Sequence, residues 1–249
     1  MRAIITILDN ITETSMPFNE FVLYRANHFP DERHILIVCG KEDKLPEVEI
    51  PRDLEIIYVG KRLTHIRKAI KEVMHELQEQ SIPYAVHIHQ VQSGFLSEIA
   101  MIGTGFRRKV LFTVHSTFSG YKFHNKFLSF INTLLANRIT CVSHTSYSDY
   151  PKIIKSIKKT RMLSLQNGVD TERIDEILST KNVSRGHRNV DPKCYFIYVA
   201  RMIPLKNHSF LVDVIKKCNN KVHFIFVGAE DSEKAIRNKA ENNGVLDRI

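Results

Sequence analysis

Two cations stand close together in Arg201-Met-Ile-Pro-Leu-Lys206-Asn207, between an apolar run and a helical pattern. A guanidinium is a planar fork for paired oxygens and an ammonium is a point charge, so the pair suits a pyrophosphate. The loop that leaves a strand and enters a helix is where open parallel sheets bind ligands, and free N–H groups at the helix start favour an anion there. Two solvated surface cations are the competing reading of the same residues. A second group is His87, His89 and His115. The first two share one face of a strand by their spacing, and His115 ends another strand. Three imidazoles could ligate zinc, but no acidic or cysteine ligand accompanies them in a recognisable spacing, so no metal site is expected. His115 by itself reads equally as a cleft residue or as a structural histidine. Cys39, Cys141, Cys194 and Cys218 form no C-x-x-C, which indicates neither a disulfide framework nor a zinc cluster and fits a reducing cytosol.

The elements that must position these groups alternate. Short apolar runs predict strands at Ala3 to Leu8, Ile35 to Cys39, Leu54 to Val59, Ala85 to His89, Val110 to Val114, Ile139 to Val142 and Met162 to Leu165. Helical periodicity lies between them. Thr64 to Gln80 carries Ile66, Ile70, Val73, Met74 and Leu77 on one stripe, with Thr64 as N-cap. Phe18 to Phe29 follows Ser15-Met16-Pro17, and Asn125 to Asn137 has Phe127, Phe130, Ile131, Leu134 and Leu135 as its expected buried face. This alternation predicts an α/β fold with a parallel sheet wrapped by helices. The rhythm breaks at Asn167-Gly168-Val169-Asp170, where Asn-Gly marks a turn. A short helix over Thr171 to Leu178 and a polar, basic stretch over Lys181 to Pro192 follow. A second β-α series then runs from strand Tyr195 to Ala200, through a helix with Phe210, Leu211, Val214, Ile215 and Cys218 on its stripe, to strand Val222 to Val227 and a turn at Gly228-Ala229-Glu230. The expected division is a first domain over 1–165, a linker over 166–191 and a partial second domain over 192–249.

With 249 residues the chain exceeds one typical domain, and its formal charge of +9 favours anionic partners. No apolar run reaches the roughly 20 residues of a membrane span, so any membrane contact would be peripheral. The basic segment Lys152 to Arg161 reads either as such a contact or, by the commoner reading, as a solvated helix face with its apolar side in the core. Nucleic-acid binding is not expected, because the cations are dispersed, recognition motifs are missing and the aromatics fall mostly inside apolar stripes. A Rossmann oxidoreductase is weaker still, since the first β-α turn lacks G-x-G-x-x-G.

In combination these pieces resemble glycosyltransferase family 4, the retaining enzymes of GT-B architecture, in which two Rossmann-like domains face a cleft. The resemblance rests on Ala200-Arg201 with Lys206-Asn207, on Asn167-Gly168-Val169-Asp170, and on Phe226-Val227-Gly228 followed by Gly244-Val245-x-Asp247-Arg248-Ile249. His87-Ile88-His89, Thr113-Val114-His115 and Cys141-Val142-Ser143 add to it. It spans Tyr84 to Ile249, while Met1 to Pro83 contributes only the fold rhythm. It implies sugar transfer from a nucleotide-sugar donor to a glycan or lipid-linked acceptor, with retention, no obligatory metal and no cofactor, in polysaccharide or glycolipid synthesis. Arg201, Lys206 and His115 would be catalytic, and Asn167, Gly168 and Gly228 would join the two cations in donor binding. The expected location is cytoplasmic, with peripheral contact at the inner membrane face allowed. A nucleotide-sugar epimerase or a non-catalytic remnant of the same fold is the alternative. Two departures are plain: Asp9 to Pro17 has no glycine, and the family's pair of glutamates with seven residues between is expected downstream of Ile249. The chain is therefore expected to be truncated and, by itself, inactive.

Overall fold

The computed structural model describes all residues except 12–15, 41–49, 105–108, 170, 181–194 and 229–231. It divides into two compact units, Met1–Asp170 and Thr171–Ile249. The division puts the Thr171 helix with the second unit, whereas the sequence reading gave it to the linker. Ser15, the stretch Lys181 to Pro192, Asp170, Ala229 and Glu230 lie outside the described residues.

In the first unit, among the described residues, strands β1 (Arg2–Leu8), β2 (Glu32–Val38), β3 (Leu54–Tyr58), β4 (Tyr84–Ile88), β5 (Val110–Val114), β6 (Arg138–Cys141) and β7 (Met162–Ser164) form a seven-stranded sheet in the order β3-β2-β1-β4-β5-β6-β7. Every pairing is parallel. The helices are α1 (Met16–His28), α2 (Leu63–Glu79), α3 (Val91–Ala100), α4 (Phe123–Leu135), α5 (His144–Asp149) and α6 (Lys152–Ile157). Parallel strands need crossovers, and the helices supply most of them. The order reverses between β1 and β4, so the crevice outside their C-terminal ends is the switch point at which such sheets hold ligands.

Strands buried on both faces read as unbroken apolar runs, which is why β1 and β2 stood out in the sequence. One face packs on α2, where Ile66, Ile70, Val73, Met74 and Leu77 are all buried as the periodicity predicts. The other packs on α1 through Val22 and Ala26 against Leu8, Leu36 and Val38.

Two local expectations are corrected. Thr64 is not the N-cap of α2, which begins at Leu63 after Arg62 and has no side-chain cap. In α4 the buried residues are Leu128, Ser129, Asn132 and Thr133, while Phe127 is 56% exposed. Polar residues hold core positions there because each finds a partner: Ser129 meets the Tyr150 hydroxyl, Asn132 donates to the Val91 carbonyl, and Thr133 donates to the carbonyls of Ser129 and Phe130.

The second unit comprises α7 (Thr171–Thr180), β8 (Tyr195–Val199), α8 (His208–Lys217), β9 (His223–Val227) and α9 (Glu233–Asn242). Among the described residues its sheet is the parallel pair β8-β9. The core is small: Met202, Val212, Ile215, Phe224, Ile236, Ala240 and Val245. Val212 takes the inward position expected of Phe210, which is exposed, because the α8 stripe starts at buried His208.

Candidate functional site

The C-terminal ends of β4 and β5 carry the histidines. Parallel pairing sets Ile88 beside Phe112, so His89 and His115 emerge together at the rim. His89 Nδ1 lies 3.1 Å from His115 Nε2. One of these facing nitrogens must carry a proton and the other must accept it, so the contact holds the pair in matched tautomers. The His87 ring lies tilted by 40° with its centroid 3.9 Å from that of His89, and its Nε2 is 2.7 Å from the Thr113 hydroxyl, which in turn meets Thr140 at 2.7 Å. Phe21 of α1 stands edge-on over both rings at 5.2 Å. Burial drives the imidazoles toward neutrality. His87 falls to about 3, with His115 and Arg25 adding repulsion; His89 falls well below its ordinary value; His115 falls to about 4. The site therefore offers neutral hydrogen-bonding groups, with His87 and His115 half-buried and His89 buried. Sequence reasoning paired His87 with His89 but missed the His89–His115 bond, which only strand adjacency creates. Among the described residues no group of histidine, cysteine or carboxylate side chains is arranged to hold a metal ion.

At the switch point itself the chain fills its own anion position. The Asp9 carboxylate accepts from the Ser93 N–H at 2.6 Å, at the start of α3, and the Gln90 side-chain oxygen accepts from the Asp9 N–H at 2.5 Å. The loop after β1 packs closely on Gly40, just past β2, for a Cβ there would stand 1.7 Å from Asn10 Oδ1 and 2.6 Å from the Asp9 carbonyl. Nearby Cys39 is buried, which pushes its thiol up to about 12, and Cys141 likewise reaches about 12. Both are therefore inert as nucleophiles.

In the second unit Arg201 leaves β8 and Lys206 ends a short 3-10 turn, Pro204–Lys206, that leads into α8. Both side chains are exposed. Their backbone is held on three sides: Met202 is buried in the core, the Tyr198 hydroxyl donates to the Lys206 carbonyl at 2.9 Å, and the Ala200 N–H donates to Val227. Asn207 takes the left-handed conformation, φ 51°, that lets the turn pass into the helix. Beneath the loop His208 packs edge-on against Tyr198 and Phe226, and burial lowers its pKa. Gly228 is a steric necessity, since a Cβ there would lie 2.0 Å from the Ala200 carbonyl oxygen and 3.1 Å from the Arg201 nitrogen. So Gly228 sets where Arg201 begins. Asn167 and Gly168, by contrast, are exposed at the end of the first unit, and nothing lies within 4 Å of a Cβ built on Gly168. Two glutamates with seven residues between do occur within the chain, Glu233 and Glu241, but they lie on α9, where Glu233 pairs with Arg237 at 2.5 Å.

The profile of the family described as Glycosyltransferase Family 4 matches residues 20–173. This includes the stretch before Tyr84 in which sequence reading found only fold rhythm. No curated protein matches the sequence. Among solved structures, Anabaena Alr3699/HepE in complex with UDP and glucose is similar at 14% identity and a TM-score of 0.68, over 100% of this chain and 68% of that one. The lipopolysaccharide outer core galactosyltransferase WaaB, in its apo form, is similar at 13% identity and a TM-score of 0.63, over 100% and 66%. The UDP-N-acetylglucosamine 2-epimerase of Rickettsia bellii follows at 14% and 0.57, over 96% and 65%. At these identities the likeness is one of fold: α/β units of the GT-B, Rossmann-like kind.

Proposed function

The chain belongs to glycosyltransferase family 4, and from that premise we propose that it serves transfer of a sugar from a nucleotide-sugar donor to a glycan or lipid-linked acceptor, with retention and without a metal. The observation that carries the reading is the braced loop of Arg201 and Lys206. Negative charge grows on a departing nucleoside diphosphate, and cations already fixed beside it stabilise that charge without reorganising. Arg201 fits as the fork for two phosphate oxygens and Lys206 as the neutralising point charge. His115, held neutral, offers a hydrogen bond to an uncharged sugar hydroxyl, and His89 orients it. UDP and UDP-glucose bound to HepE support a uridine nucleotide as the first donor to try. Asn167 and Gly168 belong to the donor site on this reading, and the pathway is polysaccharide or glycolipid synthesis in the cytoplasm. The epimerase alternative shares the fold, but the family match favours transfer.

Calorimetric titration of the chain with UDP and UDP-glucose in chelator is the test. Binding is expected, and Arg201→Ala with Lys206→Ala should weaken it at least tenfold each, as charge-assisted contacts to phosphate are worth about 1.5–3 kcal/mol. Unchanged affinity in both variants, or binding lost in chelator, would overturn the assignment.

A further inference from the structure

The chain's positive charge is concentrated in one stretch. From Ile99 to Val169 the sequence carries 11 lysines and arginines and a single carboxylate, Asp149, so this stretch alone exceeds the +9 of the whole chain. Asp149 is itself engaged, accepting from the Ser119 N–H at 2.6 Å. Some of the cations are structural. Lys158 is buried and donates to the Ala136 carbonyl at the end of α4, and Lys155 donates to the Ser148 carbonyl. Lys122, Lys152 and Lys159 are exposed.

On the same two neighbouring helices, α4 and α6, apolar side chains point out of the fold. Phe123 is 88% exposed, Phe127 56%, Ile153 61% and Ile157 60%. Each pair is four residues apart, so each lies along one outer helix face. Only Ile154 of α6 enters the core. The expectation that this segment turns its apolar side inward is thereby corrected: α6 is anchored by one isoleucine and shows two to solvent.

We propose that the outer face of α4 and α6 docks on the surface of a bilayer rich in anionic phospholipid, with Phe123, Phe127, Ile153 and Ile157 entering the headgroup boundary and Lys122, Lys152 and Lys159 meeting the lipid phosphates. Charge and apolarity together select this occupant. A nucleic acid would use the lysines but leave two isoleucines in water, whereas an interfacial helix needs both kinds of group. An acidic protein partner is disfavoured for lack of any carboxylate on these helices to fix its register. The docking face is a property of the first unit and does not depend on the sugar-transfer reading.

Flotation of the 249-residue chain with vesicles tests it, since flotation separates bound protein from aggregate. The protein is expected to rise with vesicles of equimolar phosphatidylglycerol and phosphatidylcholine, to stay down with phosphatidylcholine alone, and to lose binding in high salt. Each of Lys122→Gln, Lys152→Gln and Lys159→Gln should weaken partitioning about fivefold. Ile153→Ser with Ile157→Ser should weaken it at least tenfold, and their exposure leaves the melting curve unchanged. Ile197→Ser, on the second unit's own exposed strand, should change nothing. Equal flotation on neutral and anionic vesicles would overturn the proposal, as would indifference to the isoleucine changes or loss of binding in Ile197→Ser. Salt-sensitive binding to a single-stranded RNA oligonucleotide, with no flotation, would replace the bilayer by nucleic acid.

Discussion

A proton entering the β4–β5 rim must give up water and, at His87 and His89, also sit beside neighbouring imidazoles, and that cost belongs only to the folded chain. Unfolded histidines titrate near 6.5, whereas folded His115 waits until about 4 and His87 until about 3. Between those values the unfolded chain binds more protons, so stability is complete above 6.5 and declines as pH falls. The slope is about 1.4 kcal/mol per pH unit for each histidine still neutral in the fold. Urea midpoints measured from pH 7.5 down to 4.5 should fall accordingly, and His87→Leu should flatten the fall. Midpoints that do not move over this range would mean that the cluster is solvated. Glu32 acts lower on the scale: burial raises its pKa, but hydrogen bonds from Arg25 and Arg2 outweigh this and hold the carboxyl below its ordinary value, so its contribution disappears only as acid protonates it. Gly228 gives a second residue-scale outcome. Gly228→Ala must push the Ala200 carbonyl away and should cost about 1–3 kcal/mol of second-unit stability, measured by denaturant unfolding, together with nucleotide affinity. The importance of Gly228 was legible in its motif, but its reason was not, since the clash is with a loop 28 residues earlier in the chain. The His89–His115 bond was likewise hidden, because sequence separates what strand pairing joins.

Elements were legible where one face is uniformly apolar. The seven strands of the first sheet lie where short apolar runs predict them, and α2 buries the five residues its periodicity names. The reading failed where polar groups occupy the core. In α4, Ser129, Asn132 and Thr133 point inward, each with a hydrogen-bond partner, while Phe127 points outward. Leu128→Ala should therefore cost about 2–5 kcal/mol in thermal or urea unfolding, while Phe127→Ala stays within about 0.5 kcal/mol. Reversal of that order would restore the face drawn from periodicity. The strand order could not be read at all, since β1's neighbours β2 and β4 are chosen by the crossovers and not by β1's own residues.

At the scale of the whole molecule the two units are unequal in core. Among the described residues the second holds a two-stranded sheet covered by a small cluster, with Ile197 65% and Val199 72% exposed on β8. So few strands give little independent stability. Backbone amides of β8 and β9 should exchange hydrogen faster than those of β1 and β4, and heating should melt the second unit first; a single cooperative transition with uniform protection would contradict this. The central position of β1 has a consequence for biosynthesis. β1 leaves the ribosome well before one of its flanking strands, β4, which ends only at Ile88. At about 5–20 residues per second, β1 waits several seconds with that edge unpaired. A pause in translation between β1 and Tyr84 would prolong the interval in which another nascent chain can add to it, so yield of folded protein should depend on codon speed over the residues between β1 and β4.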